Sequence, residues 1–476
     1  MMNLTPKNKE ILILGTLLVL GLATRFFNIG FQSIWIDEGS TFYFTRYSLS
    51  ELMDISEPNS PFYYLLEGTF LGIVGQTELG LRFTSAVAGA LAVPLAYMVS
   101  MRLFRNRPAA LVASVLFLLS PILLFYGQEG RGYMIVACLF LIQILVMLKA
   151  LETGRNLWWV IFAVLSAVQF TMQYSGIIAT FTLYLYILCR CCMNGLSTDR
   201  YRTFIQMIWS GVLYLVLISP LVYKYLTDKG VSSDGYERWS WCFVGIEYTI
   251  NHLNDLLFGF GFSAVLFILS AVGLYLCHRD NRDAALMLGM IMLFPLVFMT
   301  LFSLMRNVTP RYVLWSVAGF YLVIPFFLSK IDIDIMRTKK AIIAVSAVLI
   351  ILAACILPVY YTEVTKEDFR TGAKVLDENA VPGDLVMYAV ASENPVYASI
   401  SFYYDPAKDG IDTMGLMSKE ELISISESGM YDNIYVLILA DYEPLDYLLH
   451  LESPNCQHIC DAYRINVFRI SGPLPL

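Results

Sequence analysis

Two carboxylates stand side by side in "SIWIDEGSTFYF", residues 33–44: Asp37 and Glu38. Trp35 precedes them, Phe42, Tyr43 and Phe44 follow, and an apolar stretch lies just before at 11–24. Aromatics in that setting form the belt of a membrane–water interface, so the pair is expected at headgroup level. Charge beside a bilayer is costly and usually functional where it persists. Partial desolvation makes a carboxylate more basic, and a general base that takes a proton from a hydroxyl needs such a setting. An Asp-Glu pair in an arbitrary loop is more often simply hydrated. The aromatic flanks argue against that here.

Cations come next. "FYGQEGRGYM", residues 125–134, crowds Gln128, Glu129 and Arg131 into a tight turn between two apolar segments. A local Glu129–Arg131 ion pair would explain the turn without any function, though such pairs contribute little. Alternatively Arg131 binds phosphate, whose oxygens fit its planar fork, and Glu129 orients it or a partner. "RNVTPRYVLW", residues 306–315, brings Arg311 and Tyr312 to the start of another apolar segment. They read as interfacial anchors or as a second phosphate clamp. Cations converging on one cavity would stabilise a departing phosphate, which needs no general acid. The loop "GYERWSWCFVGIEYTINHL", residues 235–253, offers Trp239 and Trp241 as a lid or as plain interfacial anchors. A base, phosphate-binding cations and aromatics for sugar suit transfer of a glycosyl unit from a lipid phosphate.

The elements that must position these groups are membrane helices. The chain has 476 residues, is 57% hydrophobic and only 15% charged, with mean hydropathy +0.62. A soluble protein seldom has so little polar surface. Windows long enough to span a bilayer fall near 11–29, 79–103, 108–126, 131–151, 156–172, 174–193, 204–226, 256–277, 284–305, 311–330 and 340–361. The reading is a polytopic α-helical membrane protein with about 11 transmembrane helices. The break at Gln173 between the fifth and sixth is the least distinct. Prolines 94, 121, 220, 295 and 325 fall inside these windows and are expected to kink them. The first segment lacks a small-residue cleavage site and reads as a retained anchor. Sixteen Lys and Arg fall on one side of this arrangement and nine on the other. The positive-inside rule then places the N-terminus in the cytoplasm and the C-terminal part outside, with Asp37 and Glu38. A net charge of −7 gives no reason to expect nucleic acid as a partner.

Two regions lie outside the spans. The first outer loop, 30–78, carries "SLSELMDI", a capping-box pattern at Ser48 and Glu51 whose apolar stripe is expected to lie flat on the membrane. A second helix is expected to begin at Pro61 in "NSPFYYLLEGTFLGIVG". From residue 362 to 476 the composition becomes that of a small soluble α/β domain, against a transmembrane part over 1–361. "KEDFRTGAKVLDENA" reads as an amphipathic helix ended by Pro382-Gly383. "SKEELISISES" reads as a helix capped by Ser418, and "DLVMYAV", "NIYVLILA" and "RINVFRI" as buried strands. No phosphate-binding glycine loop or hydrolytic triad is visible in it. Of nine cysteines, only Cys456 and Cys460 lie in this polar part. With His458 they make an incomplete metal set, so a local disulfide or free thiols are expected instead.

Read together, "SIWIDEGSTFYF", "NSPFYYLLEGTFLGIVGQTELGLRFTSAVAGALAVPLAYMVSMRLF" and "LSPILLFYGQEGRGYM" resemble membrane glycosyltransferases of the GT-C class. The similarity is to the branch of dolichyl-phosphate-mannose protein mannosyltransferases and aminoarabinose transferases, and covers roughly residues 10 to 390. "RYVLWSVAGFYLVIP" and "EDFRTGAKVLDENAVPGDLV" continue it. The resemblance implies a polyprenyl-phosphate-linked sugar as donor, a lipid, glycan or protein acceptor, and catalysis on the extracytoplasmic face. It maps the catalytic carboxylate onto Asp37 with Glu38 beside it. The acidic-basic turn maps onto Glu129 and Arg131, and the Arg-Tyr pair onto Arg311 and Tyr312. Asn59, Tyr63, Tyr64 and Gln128 fall in the substrate loops. Asn59-Ser60-Pro61 stands where relatives often have a His or Lys before the tyrosines, and Gln173 where they often carry His. No cofactor is implied. A divalent cation at Asp37 and Glu38 would need further ligands that are not evident. The rival classes are a transporter or flippase and a glycan-binding relative without activity. The chain shows no repeated halves, and its charges gather at span ends and not at the midplane.

Overall fold

The computed structural model describes residues 5–55, 60–193, 198–227, 243–257, 263–330, 358, 360–389, 393–416, 418–439, 448–451 and 453–474. The chain divides into two compact units: 1–27, 49–63 and 83–360 in one, and 28–48, 64–82 and 361–476 in the other. The expected span at 340–361 lies almost wholly outside the described residues.

The first unit is helical. Its elements are α1 (Pro6–Phe26), α3 (Leu49–Asp54), most of α5 (Glu78–Phe104), α6 (Arg107–Leu119), α7 (Pro121–Gly127), α8 (Tyr133–Thr153), α9 (Asn156–Met172) and α10 (Gly176–Cys192). There follow α11 (Thr198–Thr227), α12 (Ile246–Leu256), α13 (Ser263–Asp280), α14 (Arg282–Phe302), a 3-10 turn (Pro310–Ser316) and α15 (Val317–Lys330). Among the described residues five helices are long and apolar enough to cross a membrane, α5, α8, α11, α13 and α14, or six if α6 and α7 count as one bent span. α9 and α10 are apolar but shorter.

Proline placement is more selective than the sequence suggests. α5, α11, α14 and α15 continue through Pro94, Pro220, Pro295 and Pro325. Only Pro121 coincides with a break: α6 and α7 meet at 56°, with Ser120 extended between them. The expected span at 256–277 instead begins at Ser263, and α12 precedes it as a separate short helix. α3 does not lie freely on a lipid surface. Leu52 is buried, and Met53 packs on the cluster of Ala163, Phe170, Tyr214 and Ile218 from α9 and α11.

The second unit joins loop segments to the C-terminal α/β fold. It contains α2 (Ile36–Phe44), part of α4 (Pro61–Val74) and a five-stranded sheet. The strands are β1 (Leu385–Ala389), β2 (Asp412–Leu416), β3 (Ile434–Leu439), β4 (Cys456–Ala462) and β5 (Ile465–Ile470), in the order β2-β1-β3-β5-β4. β1 pairs in parallel with β2 and β3, while β5 runs antiparallel to β3 and β4. Both faces are covered, which explains the near-continuous apolar runs of β1, β3 and β5. Val386, Tyr388, Tyr435 and Leu437 pack with the helices 369–379 and 393–401. Leu385, Met387, Val436 and Ile438 pack with the helix 419–428.

Local capping follows the sequence. Asp368 accepts from the Thr371 amide at 3.2 Å and starts one helix. Ser418 accepts from the Glu421 amide at 3.2 Å and starts another. β2 and β4 have no run of apolar residues and were not foreseen.

Candidate functional site

The acidic pair lies in the first turn of α2, whose N-cap Trp35 makes no side-chain capping hydrogen bond. Acidic residues there suit the positive end of the helix dipole. The two carboxylates meet different surroundings. Glu38 is fully buried. Its Oε1 accepts from Arg82 Nε at 2.7 Å and its Oε2 from Arg82 Nη2 at 2.8 Å. Lys366 Nζ adds a third ion-pair contact at 3.2 Å. Arg82, itself buried, also donates to the carbonyls of Ile29, Gln32 and Ser33 at 2.7–2.9 Å. Asp37 is half-buried, and its charge acts on the neighbouring Glu367.

A second clamp holds the same loop. Arg370 Nε donates to Glu78 Oε1 at 3.1 Å, and the Tyr403 hydroxyl donates to the same oxygen at 2.8 Å. Tyr403 in turn accepts from the Ile34 amide at 2.8 Å. Phe42 meets Phe402 edge-on at 5.0 Å, and the Arg46 guanidinium stacks on Phe42 at 4.3 Å. α2 is thereby fixed to the α/β fold on both sides.

The cationic residues form their own arrangement in the helical unit. The 128–132 turn is pinned by Ser85, whose hydroxyl donates to the Arg131 carbonyl at 2.9 Å. Gly132 has no room for a side chain: a Cβ would sit 2.5 Å from the Met172 carbonyl oxygen. Gln173 lies against the same turn, its Cβ 3.5 Å from that position. Glu129 and Arg131 are buried. Arg311, in the 3-10 turn, places its guanidinium 5.5 Å from the Tyr133 ring centre. Tyr312 and Tyr126 flank Tyr133 at 6.2 and 5.6 Å. Glu129, Arg311, Tyr133 and Asp255 all lie within electrostatic range of the Tyr126 hydroxyl. The structure thus gathers Arg311, Tyr312 and Glu129 around two tyrosines that the sequence reading did not name.

Residues 57–223 match the family model described as dolichyl-phosphate-mannose-protein mannosyltransferase. A comparison with curated protein sequences finds no match. Among solved structures, ArnT from Cupriavidus metallidurans bound to undecaprenyl phosphate is similar with TM-score 0.64 and 13% identity, over 98% of each chain. Its apo form also gives TM-score 0.64, at 12% identity over 95% of this chain and 97% of that one. The Archaeoglobus fulgidus oligosaccharyltransferase gives TM-score 0.55 and 11% identity over 92% of this chain and 69% of that one. The chain shares its fold with these structures along nearly its whole length.

Several residues fall in places that the sequence did not indicate. The Gln128 side-chain amide donates to the carbonyls of Arg25 and Phe27 at 2.9 and 2.8 Å, closing the C-terminus of α1. Its Oε1 accepts from the Tyr360 hydroxyl at 3.0 Å. Gln128 therefore holds helices together. Tyr63 and Tyr64 are fully buried at the start of α4, and the Tyr64 ring packs on Phe44 at 5.1 Å. Asn59, Trp239 and Trp241 lie outside the described residues.

Arg25, which belongs to none of the motifs named above, is fully buried and donates to the Phe117 and Leu118 carbonyls at 2.7 and 2.6 Å. Pro121 has no N–H for the Phe117 carbonyl, so the arginine supplies the missing donor at the α6–α7 break. Gly89 and Gly127 leave the space: a Cβ on either would be 3.1 Å from Arg25 Cγ.

Of the two alternatives for the cysteines, a local disulfide or free thiols, the structure holds free thiols. Cys456 and Cys460 are both free and lie on one strand, β4. A bulge between His458 and Cys460 shifts the register. Cys456 packs with one sheet face and Cys460 with the other. Four residues of strand span ~13 Å, too far for a disulfide.

Proposed function

We propose that this chain is a membrane glycosyltransferase of the GT-C class that moves a sugar from a polyprenyl-phosphate donor to a hydroxyl of a lipid, glycan or protein acceptor. Transfer takes place on the extracytoplasmic side, with the N-terminus cytoplasmic. Asp37 is the general base. Arg131 and Arg311 carry the charge of the departing phosphate, with Glu129 and Tyr312 orienting them. The similarity to an ArnT structure bound to undecaprenyl phosphate supports the donor class.

One observation carries the assignment of the base. Glu38 is buried and engaged by two cations, whereas Asp37 stays half-exposed on the same helical turn. In the reaction the acceptor O–H gives its proton to Asp37 and its oxygen bonds to the anomeric carbon. The bond from that carbon to the phosphate oxygen breaks, and the polyprenyl phosphate leaves with both electrons. A dianionic phosphate needs no general acid, and a guanidinium stabilises it as its charge develops.

The test is transfer by purified protein in nanodiscs, offered labelled undecaprenyl-phosphate-linked mannose, arabinofuranose and aminoarabinose. Asp37→Asn is expected to lower kcat by about 10²- to 10⁴-fold, the usual contribution of a positioned base. Unaltered turnover by that variant removes Asp37 from the chemistry. Wild-type protein inert with every donor and acceptor removes the enzyme reading.

A further inference from the structure

We propose that a cavity at the opposite end of the helical unit from Arg131 binds the headgroup of an ethanolamine phospholipid, its phosphate and its ammonium together. The proposal concerns binding alone and does not rest on the transfer reaction.

The cavity measures about 250 Å³ and lies among the ends of α5, α8 and α10 and the start of α14. Tyr133, next to the 128–132 turn, and Glu152, in the cavity wall, stand at opposite ends of α8. At ~1.5 Å per residue that helix separates them by ~30 Å. The positive-inside rule assigns the cavity side to the cytoplasm. Two ion pairs line it, each joining two helices. Arg102 of α5 donates through Nη2 to Glu152 Oε2 of α8, and Arg190 of α10 donates through Nε to Asp283 Oδ2 of α14 at 2.9 Å. Lys149 reaches the same Glu152 oxygen at 3.4 Å. Tyr186 lines the cavity too, although only 2% exposed. Its hydroxyl is within electrostatic range of Arg190 and Asp283 and has no hydrogen-bond partner among the described residues.

The ion pairs leave capacity of both signs. Arg190 makes its hydrogen bond through Nε alone, so its Nη groups have none among the described residues, and Arg102 is engaged only through Nη2. Each carboxylate likewise keeps one oxygen, Glu152 Oε1 and Asp283 Oδ1, without a hydrogen bond among the described residues. All four side chains are between 32% and 51% exposed, so a ligand can reach them. A guanidinium fork suits phosphate oxygens, and the Tyr186 hydroxyl adds a neutral donor beside Arg190. A bare anion would also meet two carboxylates and be repelled. A zwitterion with a singly charged phosphate diester and a primary ammonium matches a lining of two arginines and two carboxylates. Small-molecule pockets begin near ~300 Å³, so the space suits a headgroup and not a whole lipid. Apolar side chains of α5, α8 and α14 complete the wall and suit the glycerol end. Pockets between helices on the cytoplasmic side are an established place for lipid headgroups.

The experiment is native mass spectrometry of full-length protein in detergent, titrated with phosphatidylethanolamine, phosphatidylcholine and phosphatidylglycerol of matched chains, and separately with free phosphoethanolamine and inorganic phosphate. Wild-type protein is expected to bind one phosphatidylethanolamine more tightly than either other lipid. Phosphatidylcholine carries the same charges, but its quaternary ammonium has no N–H for the carboxylates; phosphatidylglycerol has no cation. Arg190→Gln is expected to weaken phosphatidylethanolamine by about ten- to a hundredfold, the loss of one charge-assisted hydrogen bond. Tyr186→Phe keeps the ring and is expected to weaken it by about two- to tenfold, the loss of a neutral one. Glu152→Gln is expected to narrow the gap between phosphatidylethanolamine and phosphatidylcholine. Equal binding of the three lipids by wild-type protein overturns the proposal, as does a preference that survives unchanged in all three variants. Phosphoethanolamine or phosphate binding as tightly as the lipid overturns the assignment to a membrane lipid. Should Arg190→Gln not fold, Tyr186→Phe and Glu152→Gln decide. A failed transfer assay leaves this reading standing, because the measurement is of binding.

Discussion

Arg82 is the residue whose loss should be felt most strongly outside the chemistry. Its guanidinium makes five hydrogen bonds, two to Glu38 and three to the carbonyls of Ile29, Gln32 and Ser33. Arg82 and Glu38 are 1% and 0% exposed, and Lys366 is 4% exposed. Replacing Arg82 by Met keeps an unbranched stem but leaves Glu38 with Lys366 alone and three carbonyls without that donor. Breaking a buried ion pair from one side costs ~3–5 kcal/mol. In local opening equilibria that is roughly two to four orders of magnitude. Amide exchange across residues 28–48 reads it directly, since that segment holds the accepting carbonyls and α2. Exchange there should accelerate by that factor, up to the limit set by global unfolding. Glu38→Gln should give a comparable effect, because Arg82 and Lys366 then share no counter-charge. Arg82→Met combined with Glu38→Gln should cost less than the sum, since the two share one interaction. Exchange in Arg82→Met within about twofold of wild type, the scatter of a neutral surface change, would refute the reasoning.

Arg25→Met should lower the melting temperature in detergent, by an amount equivalent to ~2–4 kcal/mol, as two carbonyls lose their donor at the α6–α7 break; Arg25→Lys should recover part of it. Burial pushes the Tyr403 hydroxyl up to about 12, so the folded state holds this proton more tightly than the unfolded chain, whose tyrosines titrate near ~10. Its contribution is therefore complete below pH ~10 and is lost as the pH rises towards about 12; chemical denaturation across that range should show a downward slope that Tyr403→Phe reduces. Cys456 and Cys460 should both alkylate with maleimide after unfolding without reductant, and intact mass should show no bond between them.

What the sequence made legible is whatever depends on neighbours in the chain. Pro61 opens α4, Asp368 and Ser418 cap the helices they precede, and β1, β3 and β5 announce themselves as unbroken apolar runs. Two-sided burial produces that pattern. Long-range partners were not legible. Nothing in the spacing of Asp37 and Glu38 says that a lysine 328 positions later will neutralise one of them. The Cys-x-His-x-Cys spacing suggested proximity, yet extension and a bulge separate the thiols across the sheet. Arg25 could have been found: a proline after an apolar helix leaves a carbonyl without a donor. Gln128 was misplaced for a related reason. A polar side chain beside a presumed substrate looks the same in sequence whether it serves a ligand or the end of a helix.

The division of labour within the acidic pair follows from helix geometry. Consecutive residues on an α-helix point about 100° apart, given ~3.6 residues per turn, so neighbouring carboxylates on α2 cannot serve one ligand in the same way. The direction taken by Glu38 is filled by Arg82 and Lys366. That leaves the direction taken by Asp37 as the exposed one. Glu38 is thus the anion that fixes α2 through an arginine reaching three loop carbonyls and a lysine from the α/β fold. The catalytic and structural roles are separable on this view. A change at Glu38 alters where Asp37 sits, and its effect on transfer should track the opening of residues 28–48. A change at Asp37 alters the acid itself and should leave that opening untouched.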